Sequence, residues 1–180
     1  MSKKVLSYPE TRQVFDFDCG ANSLMSMLVF AGVEEREQRI LKLAKTDKKD
    51  GTSVENILFV FGYFGMDVVA REHMTPDDLR KAIDGGHPTM LTLQAYRDDK
   101  APAYNDDFDD GHYVVCIGYT EDTIIFEDPA SFHRTFLSDG ELIERWHDCD
   151  GGTNPPKLNG WGCTLLTPSA YKHDLTEHMD

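Results

Sequence analysis

An α+β fold, helices first and an antiparallel sheet after them, is predicted from three observations. Up to residue 86 the apolar residues recur at helical spacing, in stretches bounded by Gly32, Gly51, Gly65 and Gly85-Gly86. From His87 onward they gather in short β-prone runs separated by turn residues. The 180 residues contain neither an internal repeat nor a linker-like stretch, and that length suits one core. A single unit over 1–180 is therefore expected, with a helical lobe at about 13–86, a β lobe at about 87–168, and a cleft between them as the natural place for a site.

Residues 1–12 read as a lead-in strand or loop reaching Pro9. Ala21, Leu24, Met25, Met27, Leu28, Phe30 and Ala31 fit a helix buried on most sides, starting at or just before Cys19 and stopping at Gly32, which suits a left-handed cap. Glu34–Lys45 is amphipathic, with Ile40, Leu41, Leu43 and Ala44 inward, and predicts a surface helix. Thr52 or Ser53 caps a third helix, with Val54, Ile57, Leu58, Val60, Phe61 and Phe64 on its buried face and its end near Gly65. Met66–Ala70 is β-prone. Thr75-Pro76-Asp77-Asp78 joins an N-cap, a first-turn proline and acids at the positive end of a helix running to Gly85-Gly86. Strands are expected at Thr89–Tyr96, Tyr113–Tyr119, Thr123–Glu127, Phe132–Leu137 and Gly162–Thr167, with a short helix at Glu141–Trp146 and a loop at 150–156. Trp146 and Trp161 read as packing residues, because large aromatics mostly supply buried area.

Composition narrows the function classes. Acidic residues number 32 against 18 basic ones, and a formal charge of −14 argues against a nucleic-acid partner and against an anionic membrane surface. No stretch approaches the roughly 20 apolar residues of a spanning helix, and Lys3 and Lys4 have no apolar run behind them, so a cytoplasmic protein without membrane insertion is expected. Cys19, Cys116, Cys149 and Cys163 are dispersed; they form no C-x-x-C pair for zinc and are too few for a disulfide framework, although a Cys149–Cys163 bridge is open.

The candidate chemistry starts at Cys19. Unpaired N–H groups and the positive dipole end at a helix start favour an anion, which makes a thiol there a plausible nucleophile. Gln13, six positions earlier, is close enough for its amide to converge with the Cys19 backbone N–H as a two-donor oxyanion hole. His112 opens an apolar strand and Asp128 closes the following one. In a hairpin they fall at the same end of adjacent strands, where the carboxylate can hold the imidazole in a Cys-His-Asp triad. The plainer alternative makes Cys19 a small buried apolar residue, Gln13 a loop residue, and His112 and Asp128 structural groups.

The run Gln13-x5-Cys19-Gly20-Ala21 with Leu24 behind it, then Gly51-Thr52-Ser53, Gly111-His112-Tyr113-Val114-Val115 and Asp128-Pro129, resembles the C39 family of papain-like cysteine peptidases. Its best-known members are the N-terminal domains of bacteriocin-exporting transporters, which cut leader peptides after a double-glycine-type motif. The resemblance covers most of residues 5–137. It implies a two-lobed papain-like fold, Cys19 as nucleophile, His112 as base, Asp128 as orienting acid and Gln13 as oxyanion donor. A peptide or protein substrate is expected, with no cofactor or metal. No transporter segments follow, so a stand-alone form is expected.

Two other classes share these residues: an acyl or peptidyl transferase, or amidase, on the same fold, and a peptide-binding module that keeps the cleft without cutting. Asp98, Asp99, Asp106, Asp107, Asp109 and Asp110 crowd the approach to His112. Their spacing does not match an EF-hand loop, and a solvated rim that steers cationic peptides is expected in preference to a metal site.

Overall fold

Alternating apolar positions let one antiparallel sheet be covered on both faces. The computed structural model describes residues 3–97, 103–151, 156–174, 176 and 178. Along the chain lie β1 (Lys4–Val5), α1 (Cys19–Phe30), α2 (Glu37–Leu43), α3 (Val54–Tyr63), β2 (Val68–Arg71), α4 (Pro76–Asp84), β3 (Thr89–Gln94), a 3-10 turn (Tyr104–Asp106), β4 (Gly111–Tyr119), β5 (Thr123–Glu127), β6 (Thr135–Ser138), α5 (Asp139–Arg145), β7 (His147–Cys149), β8 (Lys157–Asn159) and β9 (Gly162–Leu165). The sheet order is β2-β9-β3-β4-β5-β6, and β1 pairs with the far end of β4. β7 and β8 form a separate hairpin. The architecture is the mixed helix and antiparallel-sheet fold that the patterning predicts.

Side chains alternate across β4. Tyr113, Val115 and Ile117 join the core that holds α1 and α3, while Val114 and Cys116 join Leu79 and Ile83 of α4 and Leu142 of α5 on the other face. α1 is buried nearly all round, and its polar members are bonded rather than exposed. Ser23 donates to the Tyr113 carbonyl at 3.2 Å, and Ser26 donates to the Ser23 carbonyl at 2.7 Å while pairing with the Tyr8 hydroxyl at 2.8 Å. The first of these ties α1 to β4, and the last ties it to the segment before it. A Cβ on Gly20 would sit 3.0 Å from both Thr52 and Tyr113, so the first turn of α1 can approach the strand this closely because it carries no side chain there.

Helix ends follow their local signals. Gly32, Gly65 and Gly86 have positive φ just beyond α1, α3 and α4. Ser53 caps α3, and Thr75 and Asp78 form a capping box on α4. α2 is shorter than the amphipathic run suggests, because Arg36 is extended and the helix begins only at Glu37. Strand ends depart more. β3 stops at Gln94, before a left-handed Tyr96, and the strand expected from Phe132 begins at Thr135. The β7–β8 hairpin has no counterpart in the sequence expectations; its strands are three residues each, too short for a periodic signal. The loop expected at 150–156 and the acids Asp98 and Asp99 lie partly or wholly outside the described residues. Trp146 and Trp161 are buried, and the indole of Trp146 donates to the Trp161 carbonyl at 2.8 Å. All four cysteines are free, so the bridge left open between Cys149 and Cys163 is not formed.

The start of β4 is braced from β7. The carboxylate of Asp148 takes hydrogen bonds from Thr92, from Gln94 at 3.1 Å and from the Cys149 N–H at 2.8 Å, and burial raises its pKa. A Cβ on Gly111 would lie 2.6 Å from both Asp148 oxygens. Gly111→Ala is therefore expected to displace a locked carboxylate and to lower stability by about 1–3 kcal/mol, measured by urea denaturation.

Candidate active site

Asp18, the residue before α1, would ordinarily cap that helix. It does not. Its fully buried carboxylate turns back to accept the Val14 and Phe15 N–H groups at 3.2 Å, and no side chain caps the first turn. The helix thus begins at Cys19 with its leading N–H groups unclaimed by a cap, a favourable setting for developing negative charge. Cys19 itself is 9% exposed, at the edge of the core.

β4 and β5 pair as an antiparallel hairpin, with Val115 opposite Glu127, which brings the start of one strand beside the end of the other. His112 Nε2 donates to Asp128 Oδ1 at 2.9 Å. That bond fixes the tautomer and leaves Nδ1 unclaimed by the carboxylate, with Cys19 near enough to act electrostatically on the imidazole. Burial disfavours the imidazolium, but the bond to Asp128 and the nearby Cys19 outweigh it and push the His112 pKa up to about 9. Asp128 is itself buried, which opposes its charge; His112, Tyr96 and the Ala130 N–H more than offset this and hold its carboxyl below the usual range. The structure thus brings Cys19, His112 and Asp128 together.

Gln13 reaches the same region from the preceding loop. Its N–H donates to the Pro129 carbonyl at 3.0 Å, tying the loop to the residue after Asp128. Its side-chain Nε2 donates to the Phe15 carbonyl at 2.9 Å, so one of its two amide hydrogens is committed within the loop. Oε1 is buried without a partner.

The support for this arrangement was not apparent in the sequence. Arg12 pairs with the buried Glu127, also donates to the Phe132 carbonyl at 3.2 Å, and offers its own carbonyl to Asn22 Nδ2 at 2.9 Å. One residue thus ties the Gln13 loop, α1 and the end of β5. Tyr96 donates to Asp128 Oδ2 at 2.5 Å, and Thr135 donates to the same oxygen at 3.1 Å. The i+3 spacing of Asn22 from Cys19 was a usable signal for a group one helical turn along, but nothing local marked Arg12, Glu127 or Tyr96.

A groove of about 290 Å³ runs beside the site between residues 12–16 and 129–132. Val14, Phe15 and Phe132 are exposed along it, and Phe15 stacks on Phe17 with ring centroids 5.2 Å apart. Near the start of β4, Asp109 N–H bonds to Asp107 Oδ1 at 3.0 Å and His147 Nε2 meets the Asp107 carbonyl at 2.8 Å. Among the described residues no group of three His, Cys, Asp or Glu side chains is placed to hold a metal ion. Among them, too, no helix is long and apolar enough to cross a membrane.

The model of the peptidase C39 family matches residues 7–149. The chain belongs to the C39 peptidase family. This makes it a member of a family of cysteine peptidases, and its fold agrees with solved structures of that family. One, described as a C39-like peptidase from Bacillus anthracis, superposes with a TM-score of 0.73 at 16% identity, covering 94% of this chain and 100% of the other. The peptidase domain of Streptococcus ComA, a bifunctional ABC transporter, gives 0.61 at 19% identity over 90% and 96% of the two chains. A double-glycine-motif protease from an AMS/PCAT transporter, solved with its leader peptide, gives 0.62 at 16% identity over 92% and 99%. A search among curated proteins returns no match.

Two outcomes are expected of this site. Arg12→Ala strands the Glu127 carboxylate, to which Arg134 remains only 3.6 Å distant, and should cost about 2–3 kcal/mol in urea denaturation. The folded His112 pKa lies above its unfolded value of about 6.5, so stability from its pairing is fully present below that value and is lost as pH rises through about 9. A stability difference between the native chain and His112→Ala should therefore shrink over that interval.

Proposed function

We propose that this C39 family member hydrolyses a peptide bond through a thioester at Cys19, with His112 as its acid and base, Asp128 as the group that orients the imidazole, and the Cys19 N–H with Gln13 as the oxyanion donors. The observation that carries this is the Nε2 bond from His112 to Asp128, which leaves Nδ1 to serve a thiol at an uncapped helix start.

The steps follow from that geometry. The thiol proton passes to Nδ1, and the sulfur attacks the carbonyl carbon. The carbonyl electrons move onto oxygen, where the Cys19 N–H and the uncommitted Gln13 amide hydrogen receive the charge. The imidazolium then gives its proton to the leaving amine as the C–N bond breaks, leaving the thioester. Water attacks the acyl carbon as His112 takes its proton; the C–S bond breaks, the acid leaves, and the thiol is restored. Asp128 stays ionised throughout.

A peptide substrate is supported by the neighbour solved with a leader peptide, and cleavage after a Gly-Gly-type motif by the double-glycine description of that same protein. The groove beside Gln13, where Val14, Phe15 and Phe132 lie among Arg12, Asp16 and Ser131, offers seats for side chains flanking such a motif.

Cys19→Ala should abolish cleavage of a Gly-Gly-containing peptide while its melting temperature stays within a few degrees of the native chain; retained cleavage would contradict the assignment. Replacing Gly-Gly by Leu-Leu in that peptide should reduce kcat/KM at least about tenfold, and equal rates would remove the Gly-Gly preference. Because His112 must be protonated to release the amine, kcat/KM should fall as pH rises past about 9.

A further inference from the structure

The role of Tyr96 is unexplained by its place in the chain. β3 ends at Gln94, the Ala95 N–H still bonds to the Asp110 carbonyl at 3.0 Å, and Tyr96 then takes a left-handed backbone with φ +59. A bulky residue seldom adopts that conformation without something holding it. The ring is not held by burial, since the residue is 60% exposed. What holds it is the site: the hydroxyl donates to Asp128 Oδ2 at 2.5 Å, and the ring meets the His112 imidazole edge-on, with centroids 5.4 Å apart and planes at 78°.

We propose that Tyr96 is a positioning residue for the His112–Asp128 pair: its hydroxyl fixes Oδ2 so that Oδ1 faces Nε2, while its ring shields the imidazole from water. The catalytic consequence rests on the peptidase reading of the site. A carboxylate free to rotate could present either oxygen to the imidazole or turn to solvent. Here Oδ2 is taken by Tyr96 and Thr135, and Oδ1 by His112 and the Ala130 N–H at 3.0 Å, so each oxygen has a fixed pair of donors. The tyrosine also limits how strongly the carboxylate holds the imidazolium, because one carboxylate shares its charge between both donors. The titratable groups facing the pair are Cys19 from α1 and Tyr96 from the end of β3, with Tyr104 of the 3-10 turn acting on Tyr96 in turn. Desolvation of the hydroxyl, and then the Asp128 carboxylate, oppose ionisation of the Tyr96 phenol, which stays a donor across the working range of the site.

The test compares the full chain with Tyr96→Phe and Tyr96→Ala, reading the His112 ring titration by proton–nitrogen NMR alongside kcat and KM for an internally quenched Gly-Gly peptide. Tyr96→Phe keeps the ring and removes the donor. Its His112 midpoint is expected to move up by roughly half a unit, as Asp128 turns its charge wholly to the imidazolium. Its kcat should fall about tenfold with KM unchanged, and the alkaline limb should move to higher pH with the midpoint. An unmoved midpoint in Tyr96→Phe overturns the inference; so does a kcat that Tyr96→Phe leaves unchanged while Tyr96→Ala loses it, which would leave the hydroxyl without a role. The NMR titration reads the hold of Tyr96 on the pair whether or not the peptide is cut. Failure of the native chain to cut the peptide, with the midpoint still shifted in Tyr96→Phe, would therefore tell against the peptidase reading and leave the positioning contact supported.

Discussion

Asp128 is a carboxylate with almost no access to water, and a charge in that position persists only where donors replace its hydration. It has four: His112, Tyr96, Thr135 and the Ala130 N–H. They come from β4, from beyond β3, from β6 and from its own turn. The hairpin register, the chain reversal at Tyr96 and the turn into β6 must therefore all be in place before the charge is satisfied. A site built this way has little freedom to drift. The same constraint holds His112 by Nε2 and leaves its other ring nitrogen unclaimed by the carboxylate.

The other half of the site is set by a helix that lacks its usual cap. Asp18 spends its carboxylate on the loop behind it, shaping residues 13–17 and leaving the helix start open. Arg12 and Glu127 join that loop to the end of β5, one residue from Asp128. The Cys19 side and the His112 side of the site are thus connected through a largely buried ion pair. Its removal is costly because the partner charge is left behind, and the same removal would loosen the Gln13 loop.

Much of the fold was legible in the sequence because it rests on local signals. The capping box at Thr75 and Asp78, the positive-φ glycines after α1, α3 and α4, and the alternation along β4 and β5 depend on residues a few positions apart. The meeting of His112 and Asp128 was legible for the same reason, since a tight hairpin converts strand-end positions into neighbours. Tyr96, Arg12 and Glu127 were not legible. Tyr96 and Asp128 lie 32 positions apart, and Arg12 and Glu127 lie 115 apart, so neither spacing carries a period. The β7–β8 hairpin escaped for a different reason: three-residue strands give too few positions for alternation to show. The chemistry thus sits partly in pattern and partly in long-range contacts that only the folded chain reveals.

The central claim is that His112 and Cys19 form a preassembled proton-sharing pair in the free protein. It is tested most directly by the rate at which a small electrophile alkylates Cys19 at mildly acidic pH, followed by intact mass, in the native chain and in His112→Ala. Fast labelling confined to Cys19, slowed at least about tenfold in His112→Ala, is the predicted result. Slow labelling that is indifferent to His112 would contradict the account, because it would mean that the imidazole held by Asp128 does not serve the thiol.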